Sequence, residues 1–235
     1  MVNLSLALPC CLVLACVTWA QQLYRFDQQD ITSLLRIHNQ ARKAVGATAM
    51  KRMHWSPSLA EKASEVVAQC QFRHSVPFID TTNLAYTHIG ENVFAISGAK
   101  PTPDMVIGSF LKEEANFDHS TGQCRPKRKC GHYKQVVWAS TESLGCSMAA
   151  CEDIPGTSWS TSRQWMAAQG NPGGYLVTCL YGPAGNFQGQ KPFIKAWPPS
   201  NTCTQCSLYH TNGTWYECDG DGLCVHPPTP DHSPL

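Results

Sequence analysis

The sequence has almost no excess of charge of either sign. It contains 18 lysine and arginine residues and 17 aspartate and glutamate residues, a formal net charge of +1 at pH 7. A chain so close to neutrality has no overall attraction for nucleic acid or for an anionic membrane. Charge therefore gives no indication of a nucleic-acid-binding or membrane-surface protein.

The sequence also lacks the short motifs of common hydrolases. It contains neither an H-E-x-x-H zinc-protease motif nor a G-x-S-x-G nucleophile elbow. Its cysteines beyond the N-terminal segment are even in number, so none is left over as a thiolate nucleophile. A peptidase built on this chain would therefore need a metal-activated water.

Long apolar runs are missing as well. The run over residues 4–17 is too short to span a bilayer, and it ends in Thr18, Trp19 and Ala20, a small-residue cleavage site before Gln21. No later stretch is long and apolar enough to span. The sequence predicts a signal peptide over residues 1–20 and a secreted, extracellular mature chain.

Cysteine is plentiful. Of 13 cysteines, three lie in the predicted signal peptide (Cys10, Cys11 and Cys16) and ten remain. In an oxidising compartment an even number predicts up to five disulfides, whose connectivity spacing alone does not determine. The length of 235 residues suits one main domain and a smaller appendage.

The stretch from Cys130 to Cys151 reads CGHYKQVVWASTESLGCSMAAC. Residues 133–139 alternate in polarity, which predicts a half-buried strand near residues 132–139 with His132 at its edge. The polar residues 141–145 predict a turn, and residues 144–151 a second strand. We therefore expect a cysteine-bracketed hairpin that presents His132.

Three helices are predicted upstream. Residues 27–45 carry apolar residues at helical spacing, and His38 on that face is interpreted as a packing residue. A second helix begins at Ser56 and runs toward Cys70, and a third runs from Thr102 through Phe117. With a further strand near residues 174–181, the pattern predicts a sheet covered by helices.

The segments GHYKQVVW, GCSMAAC and YLVTCLYGPAGNFQG resemble the signature motifs of the CAP superfamily, which comprises cysteine-rich secretory proteins, antigen 5 and pathogenesis-related proteins. The resemblance implies an α+β fold, a three-layer α-β-α sandwich, over residues 21–196. It also implies a cysteine-rich hinge-like module over residues 197–226, before a disordered Pro-rich tail at 227–235. The ion-channel regulatory domain of venom relatives has no counterpart here, so channel blockade is not expected.

The same resemblance implies a disulfide pattern. It pairs Cys70–Cys151, Cys146–Cys179, Cys203–Cys218 and Cys206–Cys224, and leaves Cys124–Cys130 as the fifth pair.

The resemblance further assigns four residues to one cleft: His74, Glu91, Glu113 and His132. Their spacing alone does not bring them together. The two histidines match the family's metal-contacting pair, which implies weak or optional Zn²⁺ binding, because structural zinc takes four protein ligands and catalytic zinc three.

Alternatives for this tetrad remain open. It could be a buried polar network that braces helices against the sheet, or it could perform metal-assisted hydrolysis with Glu91 and Glu113 as acid and base. Glu114 is adjacent, so the alignment could be off by one residue. Phe110 stands where the family usually has tryptophan, which keeps an aromatic wall without an indole donor.

Two further segments could carry function. The loop between Cys124 and Cys130 could bind a sulfated glycan or an acidic lipid; it could equally be a protease cleavage target or a solvated loop. Its four basic residues are Arg125, Lys127, Arg128 and Lys129. The segment between Cys151 and Cys179 could expose aromatic anchors for a partner or pack them onto its own domain. Those anchors are Trp159, Trp165 and Met166.

Asn212 begins an N-glycosylation acceptor, Asn-Gly-Thr. As a whole, the sequence predicts a secreted, glycosylated CAP-domain binding or signalling protein without enzymatic activity. It would have a divalent-metal cleft and the sterol or lipid binding known in some family members. The alternatives are a metal-assisted extracellular hydrolase and a structural matrix or surface protein.

Overall fold

The structure is a computed structural model that describes residues 22–76, 78–158, 173–211 and 213–227. The predicted signal peptide, the glycosylation acceptor Asn212 and nearly all of the Pro-rich tail lie outside the described residues, as do Trp159, Trp165 and Met166. The expectations for these segments and the domain boundaries stay predictions. Within the described part of the chain, no helix has the length and apolar character needed to cross a membrane.

The three predicted helices begin at residues whose side chains cap them. The side chain of Asp27 accepts a hydrogen bond from the backbone N–H of Asp30, and those of Ser56 and Thr102 act in the same way at the next two helices. The helices are α1 (Gln28–Ala44), α2 (Pro57–Val67), α3 (Pro103–Leu111) and α4 (Gly131–Val136).

A mixed sheet forms the centre of the main domain. It contains β1 (Gln22–Tyr24), β2 (His54–Trp55), β3 (Gly90–Ile96), β6 (Ser143–Cys151) and β7 (Gly174–Gly182). The strand order is β1-β6-β7-β3, with β2 parallel to β6 and the remaining pairs antiparallel. Strand β3 is therefore an edge strand, paired with β7 on one side. Two short strands, β4 (Phe117–Asp118) and β5 (Gln123–Cys124), pair separately.

Each face of the sheet is covered by different helices. Leu144, Met148 and Val177 pack in one core cluster with residues of α1, α3 and α4. The alternate residues Ala149 and Leu176 pack with α2 in a second cluster. Helices on both faces make the three-layer α-β-α sandwich that was predicted, and every residue of β7 is buried.

The strand predicted near residues 132–139 is wrong, because this segment forms α4. Residues 133–138 are all buried, so the alternating polarity of the sequence does not correspond to one solvent-exposed and one buried face. The predicted hairpin is wrong for the same reason, since β6 pairs with β1, β2 and β7.

The third helix is shorter than predicted. Helix α3 ends at Leu111 and continues as a 3₁₀ turn, Lys112–Asn116, while Phe117 begins β4. Glu113 therefore lies on the 3₁₀ turn and not on the α-helix.

Five disulfides crosslink the described chain, in the pairs that the resemblance implies. Cys146 and Cys179 face each other directly across β6 and β7. The bonds are Cys70–Cys151, Cys124–Cys130, Cys146–Cys179, Cys203–Cys218 and Cys206–Cys224.

The C-terminal module is built from short strands around its two disulfides. Its strands are β8 (His210–Thr211), β9 (Thr214–Trp215), β10 (Glu217–Cys218) and β11 (Cys224–Val225). Tyr216 completes a small core with the cysteines. The module packs on the main domain through a backbone bridge between Lys51 and Cys224.

Candidate functional site

The edge strand β3 carries the first half of the site. Glu91 accepts hydrogen bonds from His74, whose Nδ1 lies 3.0 Å from its Oε2, and from the backbone N–H of Ser75 at 2.8 Å. The Glu91 side chain is 1% exposed, whereas that of His74 is 63% exposed. A buried carboxylate therefore holds an imidazole that remains open to solvent.

Glycine permits this part of β3 to approach α4 closely. A β-carbon on Gly90 would overlap the side chain of Gln135, which also accepts a hydrogen bond from the backbone of Gly185. Gly90 thus allows α4 to lie against the edge of the sheet beside Glu91.

The electrostatics of His74 follow from its neighbours. The hydrogen bond to Glu91 raises the pKa of His74 above its ordinary value, partial burial lowers it, and the Lys129 ammonium also lowers it.

His132 and Glu113 form the second half of the site. The Glu113 Oε1 lies 2.8 Å from His132 Nδ1, and its Oε2 accepts the backbone N–H of His132 at 2.8 Å. Cys130 gives α4 no side-chain cap, so Glu113 supplies one from 19 residues away. The Phe110 ring stacks on the imidazole, with centroids 5.0 Å apart.

Asn92 connects the two halves. It follows Glu91 in β3, so its side chain leaves the opposite face of the strand, where its amide donates to the His132 carbonyl at 3.1 Å. The same amide lies 3.2 Å from the Tyr181 hydroxyl. One residue step along β3 thus separates the carboxylate that holds His74 from the amide that holds the backbone of His132.

A buried relay continues from Asn92 into the core. The Tyr181 hydroxyl lies 3.0 Å from His38 Nε2, and His38 Nδ1 lies 2.8 Å from the Leu34 carbonyl oxygen. Because a carbonyl only accepts, Nδ1 carries the proton and Nε2 accepts from the tyrosine. Burial lowers the pKa of His38 to about 4. The interpretation of His38 as a packing residue agrees with these contacts.

The four predicted residues therefore lie in two histidine–carboxylate pairs. Each imidazole uses Nδ1 for its carboxylate, which leaves Nε2 as the nitrogen that can bind a metal. Glu113 rather than Glu114 contacts His132; Glu114 instead accepts a hydrogen bond from the Tyr133 hydroxyl at 3.2 Å.

Cysteines offer no alternative metal site. Among the described residues, the groups with three or more candidate ligand atoms within 4.8 Å of one another comprise only Cys203, Cys206 and Cys224. All three belong to disulfides, so they have no thiolate to offer.

Two residues of the site were not identified from the sequence: Asn92 and Tyr181. Asn92 follows Glu91 directly, and strand alternation would have placed its side chain on the face opposite to that of Glu91. Tyr181 lies near the end of a mostly apolar strand, and nothing in the sequence marks its hydroxyl for a polar contact.

Comparison with known proteins identifies the family of the chain. Residues 35–181, more than half of the chain, match the CAP domain of the cysteine-rich secretory protein family. Mouse peptidase inhibitor 16 is 30% identical over 199 residues, which are 84% of this chain and 34% of that protein. The chain thus spans about a third of the length of this relative.

Solved structures show the same fold. Hookworm platelet inhibitor matches with a TM-score of 0.61 and 24% identity, over 88% of this chain and 96% of that one. NaASP2, solved with Zn²⁺, matches with a TM-score of 0.59 and 24% identity, over 85% and 96%. The described fold and the matched sequence together place this chain in the CAP family of cysteine-rich secretory proteins.

Proposed function

We propose that the chain is a secreted, extracellular binding protein whose cleft beside β3 holds a divalent cation through Nε2 of His74 and His132. The observation that carries this proposal is the pairing of each Nδ1 with a carboxylate. Such pairing fixes the tautomer and raises the basicity of the second ring nitrogen, as in carboxylate–histidine–zinc sites.

The charge of the site also fits a cation. Two carboxylates face two imidazoles that are neutral when they bind a metal. In addition, Glu91 Oε1 is buried without a hydrogen-bond partner among the described residues. A nearby cation would offset the cost of burying this charged oxygen without a hydrogen bond. With two histidine ligands, the remaining positions fall to water, so affinity is modest.

The comparison lends this proposal limited support, because the related fold of NaASP2 was solved with Zn²⁺. Zinc is therefore the metal to test first.

The alternative of a metal-assisted hydrolase has less support. It requires Glu91 or Glu113 to move protons, but both carboxylates are hydrogen-bonded to the histidines that would hold the metal. Their geometry suits positioning better than acid–base catalysis.

Sterol or lipid binding rests on the family resemblance. A groove of about 230 Å³ lies between the main domain and the C-terminal module, lined in part by Trp138, Phe193 and Leu208. This volume is below the roughly 300–1,000 Å³ of typical small-molecule sites. The groove therefore does not favour an enclosed sterol.

Calorimetric titration of zinc into chelator-stripped protein tests the metal site. We expect binding in the wild type, weaker binding in His74→Ala and His132→Ala, and none in the double variant. His119→Ala is the control, since His119 is exposed and packs on Phe117 and Phe193. Heats that persist in the double variant, or vanish in the control, would refute the proposal.

A further inference from the structure

We propose that the loop closed by Cys124 and Cys130 is a binding surface for a linear sulfated polysaccharide. This segment, residues 124–130, is called the basic loop below. The inference goes beyond metal binding in the cleft and does not require it. It starts from the four cations of the loop and from what surrounds them.

The basic loop carries positive charge that the protein does not neutralise. Arg125, Lys127, Arg128 and Lys129 are all exposed. None of them is within 4.0 Å of a carboxylate in the part of the chain that the structure describes. Elsewhere such pairing is common, as between Arg25 and Glu61. The further paired cations are Arg36, Lys43, Lys51, Arg52 and Lys62.

The loop holds its cations on a constrained backbone. The disulfide closes a ring with a sequence separation of 6 residues. Inside the ring, the backbone N–H of Arg128 donates to the carbonyl of Arg125 at 3.0 Å. Lys127 has a φ of +61°. Proline at the second position and positive φ at the third define a type II turn.

Asn116 anchors both ends of this turn. Its carbonyl accepts the backbone N–H of Arg125 at 2.7 Å, and its side-chain amide donates to the Lys129 carbonyl at 2.9 Å. An anion that binds here therefore orders four side chains but little backbone, which lowers the entropic cost of association.

The basic loop also adjoins the elements that carry Glu113 and His132. Asn116 belongs to the same 3₁₀ turn as Glu113, and α4 with His132 begins directly after Cys130. Four exposed cations within five consecutive residues suit an extended anion better than a single small one.

The chemistry of the loop favours sulfate esters on a chain over a membrane surface. Segments that lie on membranes combine cations with aromatic or aliphatic residues that enter the bilayer. Between the two cysteines, the basic loop has only Pro126 in addition to its cations. Arginine forks bind oxyanions in bidentate fashion, and lysines add mobile point charges.

Retention on immobilised heparin, with chelator present to keep the metal site empty, tests the proposal. We expect the wild type to be retained at physiological salt and to elute as salt is raised. We expect R125S/K127S/R128S/K129S to pass through, with a Kd at least about tenfold higher in solution. Full retention of this variant would overturn the proposal.

A matched control removes the same net charge elsewhere. The control replaces four exposed cations far along the chain from the loop: R25S/R36S/K100S/K195S. We expect it to keep its retention. An equal loss in both variants would show that net charge alone matters and would overturn the proposal.

Two further measurements separate a glycan site from a membrane site and loop charge from side-chain identity. The charge-conserving variant R125K/K127R/R128K/K129R should remain bound, and its loss would show that charge on the loop is not sufficient. Flotation with phosphatidylserine vesicles should leave the wild type at the bottom; flotation without heparin retention would assign the loop to membranes instead. Zinc titration of R125S/K127S/R128S/K129S should still give heat. Failure of the glycan proposal and failure of the metal proposal are therefore distinguishable.

Discussion

The guanidinium of Arg42 lies 2.9 Å from the carbonyl oxygen of Val136, the last residue of α4. The same side chain, fully buried in α1, donates to the carbonyls of Trp138, Thr141 and Lys51. Burial lowers the pKa of Arg42 to about 9, which still leaves it charged at neutral pH. A buried cation therefore caps the end of the helix that carries His132.

Arg42→Met should destabilise the whole domain, because it leaves several buried carbonyls without a donor. We expect a loss of at least about 3 kcal/mol in the free energy of unfolding, measured with urea. Arg36→Met, at an exposed position six residues earlier on α1, should change it by less than about 0.5 kcal/mol. Similar effects of both substitutions would contradict the capping role.

The capping of α4 explains why its sequence was wrongly predicted to form a strand. A six-residue helix has little stability of its own, so local pattern does not determine its structure. Its start is held by Glu113 and its end by Arg42, which lie 19 and 94 residues away in sequence from their partners. The alternation of residues 133–139 is real, but every residue from 133 to 138 is buried.

The parts of the fold with local signals were predictable. Asp27, Ser56 and Thr102 begin their helices because their side chains cap the next backbone N–H groups, a contact only three residues long. Strands β6 and β7 are mostly apolar runs that contain cysteines. The site was less predictable. His74 and His132 were predicted from the family resemblance and not from a local pattern. The role of Asn92 depends on the packing of β3 beside α4, which no local pattern indicates.

His38 should make the protein less stable in weak acid. Its pKa is about 4 when folded, against 6.5 for the free group, so the unfolded chain binds the proton more tightly between these values. The stability that depends on neutral His38 is therefore fully present above about pH 6.5. It is lost as the pH decreases toward 4, by up to about 3 kcal/mol in the free energy of unfolding. Burial also lowers the pKa of His54, which acts in the same direction.

Urea unfolding at several pH values between 4 and 7 measures this slope. In His38→Gln most of the slope should disappear, although the variant will be less stable overall. His74, whose pKa is raised, acts in the opposite sense, because its contribution is present below pH 6.5 and lost above it. An unchanged slope in His38→Gln would assign the acid sensitivity to other groups.

Asn92 should act as a positioning residue for the metal site. Asn92→Ala removes the donor to the His132 carbonyl and to the Tyr181 hydroxyl. We expect zinc affinity to fall about tenfold, as for other outer-shell partners of metal ligands. Calorimetric titration measures this directly.

The control for Asn92 is Ser147→Ala on β6, whose buried hydroxyl has no partner among the described residues. It should leave zinc affinity unchanged. If Asn92→Ala unfolds more easily yet binds zinc as the wild type does, the residue serves stability alone.

Lys51 should hold the C-terminal module on the main domain. Its Nζ lies 3.0 Å from the Glu142 carboxylate and 3.3 Å from the Tyr216 hydroxyl. It also lies over the rings of Tyr209 and Tyr216, at 4.8 and 4.3 Å from their centroids. The ten described cysteines pair within the domain or within the module, so no disulfide joins the two parts. The Lys51 contacts share this task with the ion pairs of Arg52 to Asp219 and Asp221, which are more exposed.

Lys51→Met keeps the aliphatic stem but leaves the Glu142 carboxylate without its cation. We expect the free energy of local opening of residues 203–225 to fall by about 2 kcal/mol, because removing one partner of a largely buried pair strands the other. Hydrogen exchange should show faster exchange in β10 and β11 and unchanged protection in β6 and β7. Lys100→Met is the matched control, since Lys100 lies 4.8 Å over the Tyr24 ring at an exposed position. Equal exchange of the module in both variants would mean that the backbone bridge between Lys51 and Cys224 and the ion pairs of Arg52 suffice to hold it.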